Sequence, residues 1–339
     1  MEQKPCYILA IESSCDDTAA AVLNHRVVLS NVIANQSIHA AYGGVVPELA
    51  SRAHQQNIVP VIDQALKKAG ITKNDLSAVA YTRGPGLLGS LLVGTSFAKS
   101  LSMALNIPLI EVNHLQGHLL SHFIEDEKPD PQFPFLGITV SGGHTQIVKV
   151  DDYFTMEEIG CTLDDAIGEA FDKCGKVLGL GYPAGPVIDK LAKKGNYKAF
   201  TFPIPKVEGL NVSFSGFKTA VINFLHKNQQ KNVDFIKDNL EDLCASIQYT
   251  LIEIILEKII LAVNHTEINE LAIGGGVSAN SGLRNKLMEI ANLKGWKIHI
   301  PDFGYTTDNA AMIGIVGYLK FQKRMFGQLD QSATARLAV

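Results

Sequence analysis

Two segments of the chain share one hydrophobic pattern, in which an apolar run, a polar turn and a second apolar run follow each other. The segments are 7–11, 12–18 and 19–23 near the start, and 135–140, 141–145 and 146–150 in the middle. Each pattern predicts a β-hairpin, either a plain one or one whose turn exposes backbone N–H groups to a phosphate. Its repetition predicts duplicated α/β lobes.

The apolar positions between and after these hairpins predict helices and a boundary. Residues 45–69 carry an apolar stripe at helical spacing, and 251–263 combine apolar positions with three charges, as in an amphipathic helix rather than a membrane span. The charged segment 126–134 holds three prolines and reads as a linker. We therefore expect an N-terminal lobe at 1–125, completed by a C-terminal helix at about 308–339, and a C-terminal lobe at 126–307.

Two further glycine-rich turns follow predicted strands. The turn at 83–89 opens a helix, where free N–H groups attract anions, although a plain strand-to-helix turn explains it equally well. The turn at 274–280 has three consecutive glycines and ends in Asn280, which offers both a donor and acceptors. It suits a nucleotide base or ribose, with a structural turn as the rival interpretation.

Composition and charge narrow the class of protein. Of the 339 residues, 46% are hydrophobic and 19% are charged, as expected of a well-packed soluble protein, and the net charge of −4 provides no general attraction for nucleic acid. A local lysine cluster at 190–198 is either a nucleic-acid patch or a solvated helix face. The five cysteines form no CxxC pair, which indicates reduced thiols and a cytoplasmic protein.

The most informative polar residues are His114 and His118, which follow a predicted buried strand. On a helix, residues four apart lie on one face, about 6 Å from each other, so both imidazoles can hold one metal ion. Two surface histidines would show the same spacing. Asp308, near the start of the last predicted helix, is either an N-cap or the carboxylate that completes a metal site.

Nine motifs, in this order, resemble the universal tRNA threonylcarbamoyladenosine-forming transferase family, a glycoprotease-like family of the actin/sugar-kinase-like superfamily, in its bacterial form. They are IESSCDDT, ELASRAH, TRGPGLLGSL, NHLQGH, VSGGHT, DDAIGEAFDK, FSGFKT, GGGVSAN and DNAAMIG. The resemblance covers nearly the whole chain. It implies duplicated actin-like lobes that face each other across a nucleotide-binding cleft. It also implies transfer of a threonylcarbamoyl group from threonylcarbamoyl-adenylate to N6 of adenosine 37, in tRNAs that read codons beginning with A, with release of AMP.

The resemblance also assigns residues. The family's metal ligands fall on His114, His118 and Asp308, and it favours iron(II), with zinc(II) or manganese(II) compatible with the ligands. Its substrate contacts fall on Thr139, Val140, Ser141, Gly142, Gly143, Asp172, Gly185, Asp189 and Asn280. Glu12, in the first hairpin turn, is our candidate acceptor for the N6 proton. The implied partners are tRNA, a non-catalytic paralogous subunit and a small P-loop ATPase, with no membrane.

Two other functions share some of these features. A zinc peptidase of the HExxH kind would need a glutamate directly after the first histidine, where this chain has Leu115. An actin-like ATPase or small-molecule kinase would share the fold and the glycine turns. Such enzymes bind Mg²⁺ through carboxylates and water, and a pair of histidines serves no purpose in that chemistry.

Overall fold

The computed structural model describes residues 4–339, which form ten strands and ten helices. The strands are β1 (Tyr7–Glu12), β2 (Thr18–Asn24), β3 (Val27–Ala34), β4 (Leu76–Gly84), β5 (Leu109–Asn113), β6 (Phe135–Val140), β7 (Thr145–Asp152), β8 (Thr155–Cys161), β9 (Glu270–Gly274) and β10 (Lys297–His299). The helices are α1 (Pro47–Ala69), α2 (Leu88–Leu105), α3 (His114–Leu120), α4 (Ile167–Val177), α5 (Gly185–Ala192), α6 (Ser215–Gln229), α7 (Phe235–Asp238), α8 (Leu240–Thr266), α9 (Ser281–Lys294) and α10 (Ala310–Gln322).

The chain divides into two compact units, and each contains a five-stranded sheet. The first unit comprises 4–130 and Thr307–Val339, and the second comprises Pro131–Thr306. The sheet orders are β3-β2-β1-β4-β5 and β8-β7-β6-β9-β10. In both sheets the first three strands form an antiparallel meander and the last two run parallel to the central strand. The duplication predicted from the two hairpin patterns is therefore confirmed.

In the first unit, helices cover both faces of the sheet. Alternate residues of a strand point to opposite faces, and on β1 Leu9 and Ile11 belong to the core beneath α1 and α2. On the other face α10 packs against β1, β2, β4 and β5, and also contacts α3. Close packing of α10 depends on small residues, because a Cβ at Gly314 or Gly317 would overlap Leu23 or Ala80, respectively.

The long helix α8 differs from the amphipathic helix that the sequence predicts. Most of its residues are buried in the core of the second unit, and even Lys258 is only 6% exposed. Lys258 Nζ donates hydrogen bonds to the carbonyl oxygens of Val207 and Gly209, which compensates the buried charge. Among the helices of residues 4–339, only α2 is long and apolar enough to cross a membrane, and it contacts β4 and α1.

Candidate metal centre and substrate site

The short helix α3 holds both histidines of the predicted metal site. It begins immediately after β5, where the side-chain oxygen of Asn113 accepts hydrogen bonds from the backbone N–H groups of Leu115 and Gln116, at 2.8 and 3.4 Å. This N-cap fixes the start of a helix of seven residues. The imidazoles of His114 and His118 therefore lie on one face, with their ring centroids 4.8 Å apart and their planes nearly perpendicular.

Asp308 lies beside these two imidazoles. Its Oδ1 atom is 3.4 Å from Nε2 of His114 and 3.2 Å from Nε2 of His118. The adjacent residue Asn309 caps α10, since its Oδ1 accepts a hydrogen bond from Met312 N at 3.1 Å. Capping is thus done by Asn309, and the Asp308 carboxylate faces the histidines instead. The three potential ligand atoms lie within 4.8 Å of one another.

Glu12, at the end of β1, contacts this cluster through the other ring nitrogen of His114. Its side chain is fully buried, and Oε2 accepts a hydrogen bond from Thr82 Oγ1 at 2.6 Å and lies 3.1 Å from His114 Nδ1. Its Oε1 accepts a hydrogen bond from Ser14 N at 2.5 Å. A carboxylate on one ring nitrogen holds a histidine in the tautomer whose other nitrogen is free to bind a metal. Glu12 therefore directs His114 Nε2 toward Asp308.

The charges of this cluster depend on each other. Burial would raise the pKa of Glu12, but the charge of His114 and its hydrogen bond outweigh burial and lower that pKa. The same balance lowers the pKa of Asp308 well below its usual value. Conversely, burial would lower the pKa of His114, yet the carboxylates of Asp308 and Glu12 raise it well above its usual value. The two carboxylates thus favour positive charge between them.

A divalent cation fits this cluster. His118 is fully buried, its Nδ1 has no hydrogen-bond partner among residues 4–339, and its Nε2 lies 3.2 Å from Asp308 Oδ1 in poor hydrogen-bond geometry. Buried polar atoms without partners cost roughly 1–3 kcal/mol each, so a ligand at this position would remove a penalty. Two imidazoles and a carboxylate are the donors that iron(II), zinc(II) and manganese(II) accept.

The glycine-rich turn after β4 supports the first hairpin turn. Gly86 has φ +157°, and a Cβ there would overlap the backbone of Ser14. The adjacent Leu87 N donates a hydrogen bond to Ser14 O at 2.7 Å. This close approach explains why the turn needs glycine, independently of any anion.

The predicted substrate residues all lie in the second unit: at the end of β6 and in the turn after it, on α4 and α5, and just before α9. Thr139 and Val140 end β6, and Ser141, Gly142 and Gly143 form the turn after it. A Cβ at Gly275 would overlap Val140 O and contact Ser141, so the turn at 274–280 packs directly on the turn at 141–143. Gly142 and Gly143 are exposed, and nothing lies within 4 Å of a Cβ placed on either. Thr139 Oγ1 is buried without a hydrogen-bond partner within 4–339.

Hydrogen bonds also hold the remaining predicted residues in place. Asp172 Oδ1 accepts from Ala184 N at 2.7 Å, which places it at the start of α5 beside Gly185. Burial raises the pKa of Asp172 in spite of hydrogen bonds from the backbone at Ala184 and Gly185. One turn further along α5, Asp189 accepts a hydrogen bond from Ser281 Oγ at 2.7 Å. Asn280, the residue before Ser281, caps α9 through Leu283 N at 3.0 Å.

Sequence reasoning missed three residues that support the metal cluster. Thr82 lies on β4, which pairs in parallel with β1, so its side chain meets Glu12 at the same edge of the sheet. Asn113 also escaped notice, although an asparagine before a helical stretch is a common N-cap signal. Ser14, whose Oγ lies 3.1 Å from His114 Nδ1, gave no signal, because only the folded hairpin brings them together.

The fold and the cluster together define an actin-like α/β protein with a candidate two-histidine, one-carboxylate metal centre. The class is supported by two solved structures that are similar in fold. A full-length HypF structure in a phosphate- and nucleotide-bound form has a TM-score of 0.61 at 15% identity and covers 95% of this chain and 56% of its own. Component A of (R)-2-hydroxyglutaryl-CoA dehydratase from Acidaminococcus fermentans has a TM-score of 0.52 at 16% identity, with coverage of 94% and 99%.

Sequence comparison is more specific. The TsaD family, described as tRNA N6-adenosine threonylcarbamoyltransferase, matches residues 27–315. The transferase of that name from Christiangramia forsetii is 63% identical over 337 residues, covering 99% of each chain, and that from Phocaeicola vulgatus is 57% identical, covering 98% and 99%. This chain therefore belongs to the tRNA N6-adenosine threonylcarbamoyltransferase family, and the resemblance read from its motifs is confirmed.

Proposed function

We propose that this chain transfers the threonylcarbamoyl group of threonylcarbamoyl-adenylate to N6 of adenosine 37 in tRNAs that read codons beginning with A, and releases AMP. Family membership supports the reaction class. The observation that carries the proposal is the cluster of His114, His118 and Asp308, because it offers a cation site of the kind that an acyl transfer from an adenylate uses.

The residues of the cluster have distinct roles in this proposal. His114, His118 and Asp308 hold the cation, and Glu12 keeps His114 in the ligating tautomer. A divalent cation bound there would supply Lewis-acid stabilisation of negative charge on the phosphate and carbonyl oxygens of the donor. No protein nucleophile is needed, because the mixed anhydride with AMP is already activated. Glu12 as acceptor of the N6 proton stays a prediction, since both of its oxygens are engaged in hydrogen bonds.

We assign binding of the adenylate part of the donor to the second unit. The exposed glycines 142 and 143 allow a phosphate to approach the backbone. Asp172, Asp189 and Asn280 offer oxygen acceptors for ribose hydroxyls and the base. Thr139 and Val140 are fully buried next to these glycines, and the Thr139 hydroxyl has no hydrogen-bond partner among residues 4–339.

The two alternative functions are disfavoured. Residue 115, where an HExxH peptidase needs its general base, is a leucine that is only 3% exposed. An actin-like kinase is consistent with the fold, but the chain's sequence relatives are transferases rather than kinases.

The identity of the metal, the partners and the location of the protein follow from the resemblance. We propose iron(II) as the native ion, tRNA as the acceptor substrate, and a cytoplasmic assembly with a paralogous non-catalytic subunit and a small P-loop ATPase. The contacting helices α1 and α2 expose apolar residues that suit a protein partner, namely Val59, Leu88, Leu92 and Met103. Val45, Val46, Leu49 and Ala53, at or just before the start of α1, are half-buried.

The test is nucleoside mass spectrometry of tRNA from a bacterium depleted of its own enzyme. Cells that carry this gene with its partner genes should regain threonylcarbamoyladenosine, and cells with His118→Ala should not. His265→Ala, a change at an exposed histidine of α8, is the matched control and should behave like the wild type. Failure of the wild type to restore the nucleoside, with all subunits soluble, would contradict the proposed function.

A further inference from the structure

Phe303 is the most exposed aromatic side chain among residues 4–339, with 68% of its surface accessible. It begins a short 3-10 turn, Phe303–Tyr305, between β10 and α10, and precedes Asp308 by five residues in the chain. Single exposed apolar residues are common and assign no function by themselves. Phe303 differs from such residues because a fixed arginine side chain, Arg284, lies against its ring.

The guanidinium of Arg284 lies against one face of the Phe303 ring, with Cζ 4.2 Å from the ring centroid. Its Nε donates a hydrogen bond to Ser278 O at 2.6 Å, and Nη2 donates one to Pro301 O at 2.9 Å. These two bonds fix the guanidinium plane, and the cation–π contact in turn fixes the ring. One face of Phe303 is therefore held in place, and the ring stays largely open to solvent.

We propose that Phe303 is a stacking platform for an unpaired nucleobase of the anticodon loop. The inference rests on the proposed function, which makes a tRNA the substrate. An enzyme that modifies N6 of a loop adenosine must hold that loop with its bases splayed, and proteins do so by stacking bases on aromatic rings. We assign to Phe303, which precedes Asp308 by five residues in the chain, a base of the loop that carries the modified adenosine.

The surroundings of the ring favour a nucleobase over a protein partner. The neighbours Asp302 and Gly304 are exposed and contribute no apolar side chain, whereas the centre of a protein interface is a contiguous apolar patch. The Asp302 carboxylate partly balances the charge of the Arg284 guanidinium, so the face of the ring, rather than a net positive charge, provides the affinity for a base. A ring with one supported face is the arrangement that stacks one base.

Binding of an anticodon stem-loop to the assembly with its partner subunits tests this proposal. Phe303→Ala should weaken binding by roughly 5- to 100-fold, the usual effect of removing one stacked base. Phe303→Trp should bind like the wild type, whereas Phe303→Leu, which keeps the apolar volume, should behave like Phe303→Ala. The matched control is Phe326→Ala, since Phe326 is another exposed phenylalanine, 45% accessible, and should have no effect.

The fluorescence of a base analogue in the anticodon loop tests directly whether a base stacks on Phe303. With 2-aminopurine beside adenosine 37, binding to the wild type and Phe303→Trp should quench the fluorescence, and binding to Phe303→Ala should not. The KM for tRNA should rise in Phe303→Ala, while kcat and metal affinity stay unchanged. The platform is refuted if Phe303→Ala binds and quenches like the wild type, or if it loses subunit assembly instead of RNA affinity. Absence of any tRNA modification by the wild type would instead reject the proposed function.

Discussion

The contact between Glu12 and His114 leads to a sharp prediction for Glu12→Gln, a change that preserves shape and removes a charge. In one orientation of the amide, its NH₂ group faces Nδ1 of His114, so the ring must keep its proton on Nε2 and cannot offer that nitrogen to a metal. In the other orientation the NH₂ group faces the backbone N–H of Ser14. The first orientation removes the metal-binding tautomer of His114, and the second leaves two buried donors facing each other.

The expected magnitude follows from these contacts. Loss of a partner that orients a metal-binding histidine typically lowers metal affinity by about 10- to 100-fold, which corresponds to roughly 1.4–2.7 kcal/mol. In the metal-free protein, loss of the Glu12 charge beside His114 should also destabilise the fold by about 1–3 kcal/mol. Titration calorimetry with zinc(II) or anaerobic iron(II) measures the first effect, and denaturant unfolding in the presence of a chelator measures the second.

Glu270→Gln provides a matched control in the other unit of the chain. Glu270 is also a buried carboxylate with a histidine partner, since Oε1 lies 2.8 Å from His299 Nε2 and accepts a hydrogen bond from Gln132 N at 3.1 Å. We expect a similar loss of stability and no loss of metal affinity. If Glu12→Gln bound metal with wild-type affinity, the assigned role of Glu12 would be wrong.

Two further predictions concern the turn between β1 and β2. Burial, together with the charge of the adjacent Asp16, raises the pKa of the Cys15 thiol far above its usual value. We therefore expect Cys15→Ser to keep activity, and alkylation followed by mass spectrometry to show that Cys15 reacts far more slowly than a free thiol. Rapid alkylation of Cys15 would contradict this prediction. Burial and Asp16 also raise the pKa of Asp17 to about 7, so the folded state binds this proton more tightly than the unfolded state. The resulting stability is complete below pH ~4 and is lost as the pH rises to ~7. The side-chain oxygen of Asn in Asp17→Asn can still accept the hydrogen bond from Asn35. This variant should therefore be more stable than the wild type by roughly 2 kcal/mol at pH 8, with a smaller difference at pH 5. Equal urea midpoints of variant and wild type at both pH values would refute the raised pKa of Asp17.

The sequence by itself was sufficient for the fold class and for the residues that meet at the metal cluster. Apolar periodicity and turn chemistry are local properties, so the two hairpins and their repetition can be read directly from the chain. The spacing of His114 and His118 is likewise local, because a helix turns once in 3.6 residues. Asp308, far away in the chain, was one of two readings of a residue near the start of the last helix, and the family resemblance assigned it to the metal site.

Contacts between distant segments were decided only by the tertiary structure. Parallel pairing of β1 with β4 brings Thr82 to Glu12, and the end of β5 brings His114 to the same carboxylate. The support of Phe303 by Arg284 joins a helix to a turn that follows the next strand, and no sequence period encodes it. Local patterns determine which elements form, whereas packing determines which polar side chains meet, because burial forces each of them to find a partner.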